Sequence, residues 1–588
     1  MKQRIFAVFL ALTLAISGLL SFGNMAFGAV DTEPVIGDVN GDGKVTSTDY
    51  QIIKKIFAGS SFSAEVEEKA DINNDGAITS TDYLIIKYIF LGIPVQITPK
   101  ALEPQTAPAD DGQAFSYRVS TTITDNMVLQ RNQYLNIFGT AEKAGGIIYV
   151  ELMGETRYAV VDSNGEWCVQ MSAHPASTVP VELKVYTKAQ GPENGYCFRN
   201  ILLGDVWLIS GQSNAQVTLT STLINNPSFE NTISEKDNIR LFTQWFWECT
   251  NYWEDDFPKD SNNKYIPRSP ATPQKDVPAG RTWQVNTVEN AKAFSAVGYY
   301  FAKLVADHTN VPIGIIQMSA GGAALCDFMP ADRYNAAKHN IGLSQFYPSD
   351  IYNSLIAPFS KTQVTGMLWY QGEADMCDYS KYADNLKDFV GMMREIYGKN
   401  MAFYSVQLTS HNDTNNQWPE LADMRFAQFD SLKLIDNYSL VCSMDYGSNY
   451  YDYDFAHPRN KKHIGDRLAY LALAKIYDYK NYSVSDYGSP YMYMATVKDG
   501  YVYFYFNNVG TGLRTTNNSQ NVKGFTNYIT GSSLPATLEG TNCVKVRIGS
   551  AEQITIAYGD SAMADRSTCT LSNSNGIGAL AFKYEVTP

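Results

Sequence analysis

Between Ile201 and Tyr477, short apolar runs alternate with amphipathic segments, and this alternation restricts the fold more than any other feature of the chain. The runs are Val206–Ile209, Ile313–Met318, Met367–Tyr370, Phe403–Leu408 and Leu440–Met444. Each reads as a buried strand. Between them, Phe294, Val297, Phe301 and Leu304 share one helical face, as do Leu386, Phe389, Val390, Met393 and Ile396. Ile464, Leu468 and Leu471 mark a last helix. This order predicts an α/β domain over 201–485, a mostly parallel sheet with helices on both faces.

In such sheets ligands bind beyond the carboxyl ends of the strands. The first run, within Gly204-Asp205-Val206-Trp207-Leu208-Ile209-Ser210-Gly211-Gln212-Ser213-Asn214, stops at a small, turn-prone segment that carries Ser213. A serine hydroxyl is a weak nucleophile until a base takes its proton. The second run leads into Ser319-Ala320-Gly321-Gly322-Ala323, where glycines let a backbone N–H approach a ligand. The third ends in Trp369-Tyr370-Gln371-Gly372-Glu373-Ala374-Asp375, where Gln371 offers an amide N–H to a developing oxyanion. Late in the domain comes Asp454-Phe455-Ala456-His457-Pro458-Arg459-Asn460. Asp454, three residues before His457, is placed to hold the imidazole in the tautomer a base requires. His411 is the competing base, and His463, between Lys461, Lys462 and a helix start, reads as solvated. Glu373 and Asp375 could form a carboxylate pair for glycoside hydrolysis, but bracing of the Gln371 loop is the better reading.

These stretches, in this order, resemble the Ser-Gly-Asn-His (SGNH) hydrolases, and more closely the carbohydrate acetylesterases that include sialate O-acetylesterases and acetylxylan esterases. The resemblance extends upstream to Asp125-Asn126-Met127-Val128-Leu129-Gln130-Arg131 and covers roughly Phe115 to Tyr477. Gln371 stands where most of the superfamily has Asn, a departure the acetylesterase branch shares. The resemblance implies a flavodoxin-like parallel sheet and a Ser213–His457–Asp454 triad. It implies an oxyanion hole from the N–H groups of Ser213 and Gly322 (or Gly321) and the Gln371 side chain, with no cofactor in catalysis.

The flanking regions are of other kinds. Alternating runs over 116–200 predict a small β-sandwich, with Asp162-Ser163-Asn164-Gly165 as a hairpin-type turn. Alternation returns over 486–588, a C-terminal β region that either packs on the first β domain or forms an independent sugar-binding module. Residues 94–115, rich in Pro, Thr, Ala and Asp, read as an extended linker.

Upstream, Asp38-Val39-Asn40-Gly41-Asp42-Gly43-Lys44-Val45-Thr46-Ser47-Thr48-Asp49 fits a calcium loop. Asp38, Asn40, Asp42 and Asp49 supply side-chain oxygens, Lys44 its carbonyl, and Gly43 the sharp turn. The pattern returns 33 residues later as Asp71, Asn73, Asp75, Gly76, Ala77 and Asp82. Each loop leads into a helix, and the first has none before it. The segment 35–93 resembles a type I dockerin, a small helical module that docks secreted enzymes onto the cohesins of a scaffoldin. That resemblance implies two structural Ca²⁺ ions and cohesin contact through Ser47, Thr48, Ser80 and Thr81.

Lys2 and Arg4 precede an apolar run from Ile5 to Leu20, and Ala26 and Gly28 are spaced like a cleavage site, so 1–28 reads as a secretory signal. The net charge of −14 argues against nucleic acid or an anionic membrane as a partner. Eight cysteines show no CxxC pair, which argues against zinc; Cys168 with Cys197 and Cys543 with Cys569 are candidate disulfides. The combined expectation is a secreted, scaffold-bound esterase acting on acetylated xylan or related hemicellulose. The alternatives are O-acetylated sialic acid as substrate, or a non-catalytic sugar-binding protein.

Overall fold

The computed structural model describes residues 37–72, 78, 80–90, 99, 101–106, 109–223, 227–244, 246, 261, 272–335, 344, 346–411, 418–446, 456–458, 460–549 and 553–586. The signal-like segment 1–28, together with Asn73, Asp75, Ala77 and Asp454, falls outside them. The chain forms two compact units, one amino-terminal and one running from Gly92 to the carboxyl end.

The amino-terminal unit holds helices Ser47–Phe57, Ala64–Ala70 and Ser80–Phe90. The first and third occupy equivalent places in the two sequence copies; the short middle helix was not foreseen. Thr46 and Asp49 form a capping box, in which Thr46 accepts from the Thr48 N–H and Asp49 from the Thr46 N–H at 2.8 Å. Ile53 and its counterpart Ile86 are fully buried. Tyr50 and its counterpart Tyr83 touch, rings 5.2 Å apart and hydroxyls in hydrogen-bond contact.

The larger unit is built on one long strand, Tyr196–Gly211. Its first half pairs antiparallel with Ser177–Tyr186, and its second half lies in a parallel sheet. The sheet order is Lys236–Thr243, Ile313–Ser319, Tyr196–Gly211, Gly366–Tyr370, Ala402–Val406, Tyr438–Val441, with Gln284–Asn286 antiparallel at one edge. The expected boundary at 200/201 therefore falls inside a continuous strand. Trp207 lies opposite Gly366 in register and so on the other face from Trp369, three residues on. Trp207 packs on Phe301 of helix Ala296–His308, and Trp369 on Phe389 of helix Tyr379–Tyr397. Helices thus cover both faces, as the apolar runs required. Helix Leu421–Leu434 packs beside Tyr379–Tyr397, and helix Lys461–Lys475 beside Ala296–His308.

Upstream, Val128–Gln130 pairs parallel with Leu202–Gly204, and Arg131 makes a two-pronged ion pair with buried Asp205 at 2.9 and 3.0 Å. The 116–200 region has strands in two sheets, as a sandwich requires. The Asp162–Gly165 turn, however, is not a hairpin: it carries the chain from Glu155–Val160 in one sheet to Glu166–Met171 in the other. Part of the expected linker is docked. The Tyr158 N–H donates to Gln105 at 3.1 Å, Arg157 to the Glu103 carbonyl at 2.9 Å, and the Leu102 N–H to Ser172 at 2.9 Å. Glu155–Val160 is an edge strand, which leaves backbone groups unpaired, and Gln105 supplies a partner for one of them, the Tyr158 N–H.

The C-terminal β region packs on the α/β domain. Gln407 exchanges two hydrogen bonds with the Ala581 backbone, at 2.8 and 3.0 Å. Fully buried Arg425 donates to the carbonyls of Leu408 and Thr409 on one side and Ser561 and Ala562 on the other. The region is packed into this unit through buried contacts and is not an independent module. The seven described cysteines are free thiols, which corrects both candidate disulfides. Cys168 faces Phe138 in one sheet of the sandwich, whereas Cys197 faces Lys184 in the other. Among the described residues no helix is long and apolar enough to cross a membrane.

Candidate active site

Three strand ends converge on Ser213. Gly211 closes the central strand at φ +125°, and a β-carbon there would meet the Tyr370 carbonyl at 2.1 Å, so only glycine fits. The Gln212 N–H donates to the Tyr370 carbonyl at 3.1 Å, and the Ala320 N–H to the Gly211 carbonyl at 3.0 Å. Ser213 then opens a one-turn helix, Ser213–Gln216. At that position the backbone N–H has no acceptor within the helix. Over Asp205–Gly211 the central strand precedes both its neighbours in the chain, one added on either side, so Ser213 lies at the reversal of strand order where crevices form.

His457 Nε2 lies 2.6 Å from Ser213 Oγ, across 244 positions of sequence. Both residues are partly exposed, which leaves the hydroxyl open to a substrate. Asp454 lies outside the described residues. The Gly321-Gly322 turn stands beside the serine: a β-carbon on Gly321 would lie 3.1 Å from Gln216 Oε1. Gly322 takes φ +76°, a left-handed turn that glycine adopts without strain.

Gln371 differs from its expected role. Its Nε2 donates to the Ala323 carbonyl at 3.2 Å and to the Asp375 carboxylate, and its Oε1 accepts from the Tyr382 hydroxyl at 3.1 Å. An amide nitrogen has two N–H groups, and both are engaged. Gln371 therefore ties its own loop to the glycine turn. Asp375 also accepts from the Leu325 N–H at 3.0 Å, and burial pushes its carboxyl up to about 7. Burial likewise raises Asp327, which accepts from the Ala324 N–H at 2.7 Å and from Ser344.

The bracing read for Glu373 and Asp375 matches their partners; neither is an exposed carboxylate. Glu373 Oε1 accepts from Asn214 Nδ2 at 2.6 Å. Burial raises the Glu373 carboxyl, opposed by hydrogen bonds and by the charges of His457 and Lys461. Gln212 reaches the same loop, accepting from the Gly372 and Ala374 N–H groups at 3.3 and 3.2 Å. Two residues absent from the expected site belong to this cluster. Asn214 also donates to the Ala456 carbonyl at 3.1 Å, and Lys461 donates to Asn214 Oδ1. The adjacency of Asn214 to Ser213 was the available signal; nothing local marked Lys461.

The competing base, His411, and His463 are elsewhere. His411 is buried edge-on to Trp418, and its backbone N–H donates to the Ala562 carbonyl. His463 is half-buried: it stacks on Tyr446 at 3.9 Å, and burial beside Arg467 lowers its imidazole to about 4.

In the first calcium-type loop, Asp38 accepts from the N–H groups of Gly41, Asp42 and Gly43 at 2.7–3.0 Å, and buried Asp49 from Asn40 at 3.0 Å. The donors are all oxygens, which suits a hard cation such as Ca²⁺. Among the described residues no three Asp, Glu, His or Cys side chains converge as a preformed metal cluster. Of the expected ligand positions of the second loop, Asp71 and Asp82 are among the described residues. Ser47 and Thr48 open the first helix, and Ser80 and Thr81 the third.

Comparison with known proteins accords with this organisation. Residues 36–91 match the dockerin type I domain family. Residues 203–473 match the family described as carbohydrate esterase, sialic acid-specific acetylesterase. Sialate O-acetylesterase of Homo sapiens is 22% identical over 417 residues, spanning 63% of this chain and 73% of its own. The Rattus norvegicus enzyme is 23% identical over 427 residues, 63% and 75% of the respective chains. A solved carbohydrate acetylesterase from Xanthomonas citri superposes with a TM-score of 0.65 at 25% identity, covering 80% of this chain and 99% of that one.

Proposed function

We propose that this chain, a carboxylic ester hydrolase joining a type I dockerin domain to a domain of the sialic acid-specific acetylesterase family, removes O-acetyl groups from plant polysaccharide such as acetylated xylan. The observation that carries the reading is the 2.6 Å contact between Ser213 Oγ and His457 Nε2. With its proton on Nδ1, the imidazole accepts the serine proton as Oγ bonds to the acetyl carbonyl carbon. Asp454 has the role of holding that tautomer. The oxyanion is met by the N–H groups of Ser213 and Gly322. Collapse breaks the ester bond, and His457 returns the proton to the departing sugar oxygen. Water, deprotonated by the same imidazole, then releases acetate and restores the hydroxyl. The route draws on no cofactor.

Type I dockerin domains bind calcium. In this chain Asp38, Asn40, Asp42, Asp49 and the Lys44 carbonyl would hold one ion, and Asp71, Asn73, Asp75, Asp82 and the Ala77 carbonyl a second. The ions hold the docking surface in shape. Ser47, Thr48, Ser80 and Thr81 are the proposed cohesin contacts. Residues 1–28 direct export, which places the enzyme outside the cell on a scaffoldin.

Two other readings are separable by experiment. The curated relatives favour O-acetylated sialic acid as substrate. Acetate release is measured from acetylated xylan and from O-acetylated sialic acid at equal ester concentration. Preference for xylan by tenfold or more is expected, and the reverse preference overturns the polysaccharide assignment. A non-catalytic sugar-binding protein would release acetate from neither and would not be labelled at Ser213 by a serine-phosphonylating reagent.

A further inference from the structure

Lys461 is fully buried although it is the first residue of helix Lys461–Lys475. A cation there faces the positive end of the helix dipole and has lost its water. Its ammonium lies 5.1 Å from the centre of the Tyr370 ring and donates to Asn214 Oδ1. On its other side, Asn214 donates to Glu373 and to the Ala456 carbonyl. A lysine only donates, whereas a carboxylate and a carbonyl only accept, so the amide is satisfied in one orientation. Asn214 is the neighbour of Ser213, and Ala456 is the neighbour of His457.

We propose that Lys461 is a positioning residue of the esterase: by fixing the Asn214 amide it lets one side chain tie the nucleophile's turn to the loop that bears the base. The inference rests on the Ser213–His457 reading. Glu373 has a separate part: the Lys461 charge favours its ionised form, and an ionised Glu373 balances the buried ammonium as a buried pair requires. Charge balance and amide orientation make different demands. Removing both charges restores balance, but leaves Asn214 Oδ1 without its donor and the amide able to rotate away from the Ala456 carbonyl.

The test compares wild type, Lys461→Met and the Lys461→Met/Glu373→Gln double variant. Three readouts are taken: the thermal midpoint, kcat and KM for acetate release across pH, and the rate of Ser213 phosphonylation. Lys461→Met is expected to lower kcat and the phosphonylation rate at least fivefold, to keep KM within threefold, and to shift the pH–rate profile. The double variant should recover the thermal midpoint but stay at least fivefold down in kcat. Recovery of kcat together with stability overturns the proposal, as does a Lys461→Met kcat less than fivefold below wild type. If Lys461→Met does not fold, the double variant decides by the same fivefold threshold. If wild type releases no acetate, the esterase reading fails, and phosphonylation still reports on Lys461.

Discussion

Gly321 faces Ser213 so closely that a β-carbon on the glycine would lie 3.6 Å from the β-carbon of the serine. A β-branched side chain at 321 would extend into the space where a reacting carbonyl must sit. Gly321→Val is expected to lower kcat/KM by roughly 10²-fold, about the effect of losing one oxyanion donor. The fold should survive, because the nearest obstacle is the end of the flexible Gln216 side chain. Acetate release and circular dichroism check both halves.

Ser213→Ala removes the proposed nucleophile and leaves the dockerin unit intact. Acetate release should fall to background, a loss of roughly 10⁶-fold by analogy with other serine hydrolases. Cohesin binding, followed by calorimetry with calcium present, should be unchanged. Esterase activity near the wild-type level in this variant would remove the serine mechanism.

Arg467 and Asp445 form a buried two-pronged pair at 2.6 and 2.7 Å, and Asp445 also accepts from the Gly578 N–H at 3.1 Å. Arg467→Met leaves a buried carboxylate without its cation, which costs about 3–5 kcal/mol. The urea midpoint should fall accordingly. Because Gly578 shares that carboxylate, limited proteolysis should first cut within the C-terminal β region.

The folded-state carboxyl of Asp375 is raised to about 7 from 3.8, so between those values the folded chain binds more protons than the unfolded one. Its contribution to stability is therefore complete below about pH 4 and is lost as pH rises toward 7, at about 1.4 kcal/mol per unit of separation. Asp375→Asn keeps an acceptor for Gln371 and Leu325 but cannot titrate. Denaturant midpoints should show the variant gaining on wild type from pH 4 to pH 8. A constant difference across that range would contradict the assignment.

Chelation of calcium should melt the short helices Ser47–Phe57 and Ser80–Phe90, since helices of this length are marginal without tertiary support. The larger unit should keep its thermal transition and its acetate release. Scanning calorimetry with and without a chelator separates the two.

The legible parts of the fold were those with a local pattern. All five apolar runs lie in strands or directly continue them, and Ser213 and His457, identified from separate stretches, are in contact. Strand Lys236–Thr243 was missed because Arg240 interrupts its apolar run; that arginine is buried and donates to the Ile239 carbonyl at 3.0 Å. Helix Leu421–Leu434 was missed because it lacks a polar stripe: Arg425 and Gln428 are buried beside its apolar residues. Arg425 is accommodated by carbonyls of the C-terminal region, more than 130 positions away.

The sequence by itself determined the parallel sheet, the turn that carries Ser213, the paired calcium-type loops and the order of the parts. These depend on residue spacing, which hydrophobic periodicity and turn chemistry impose within a few positions. Only the tertiary structure decided that Gln371 serves its loop, that Lys461 is buried against Asn214, and that the C-terminal sheet belongs to the α/β domain. Those outcomes depend on which distant donor meets which acceptor once water is excluded, and no spacing along the chain encodes that choice.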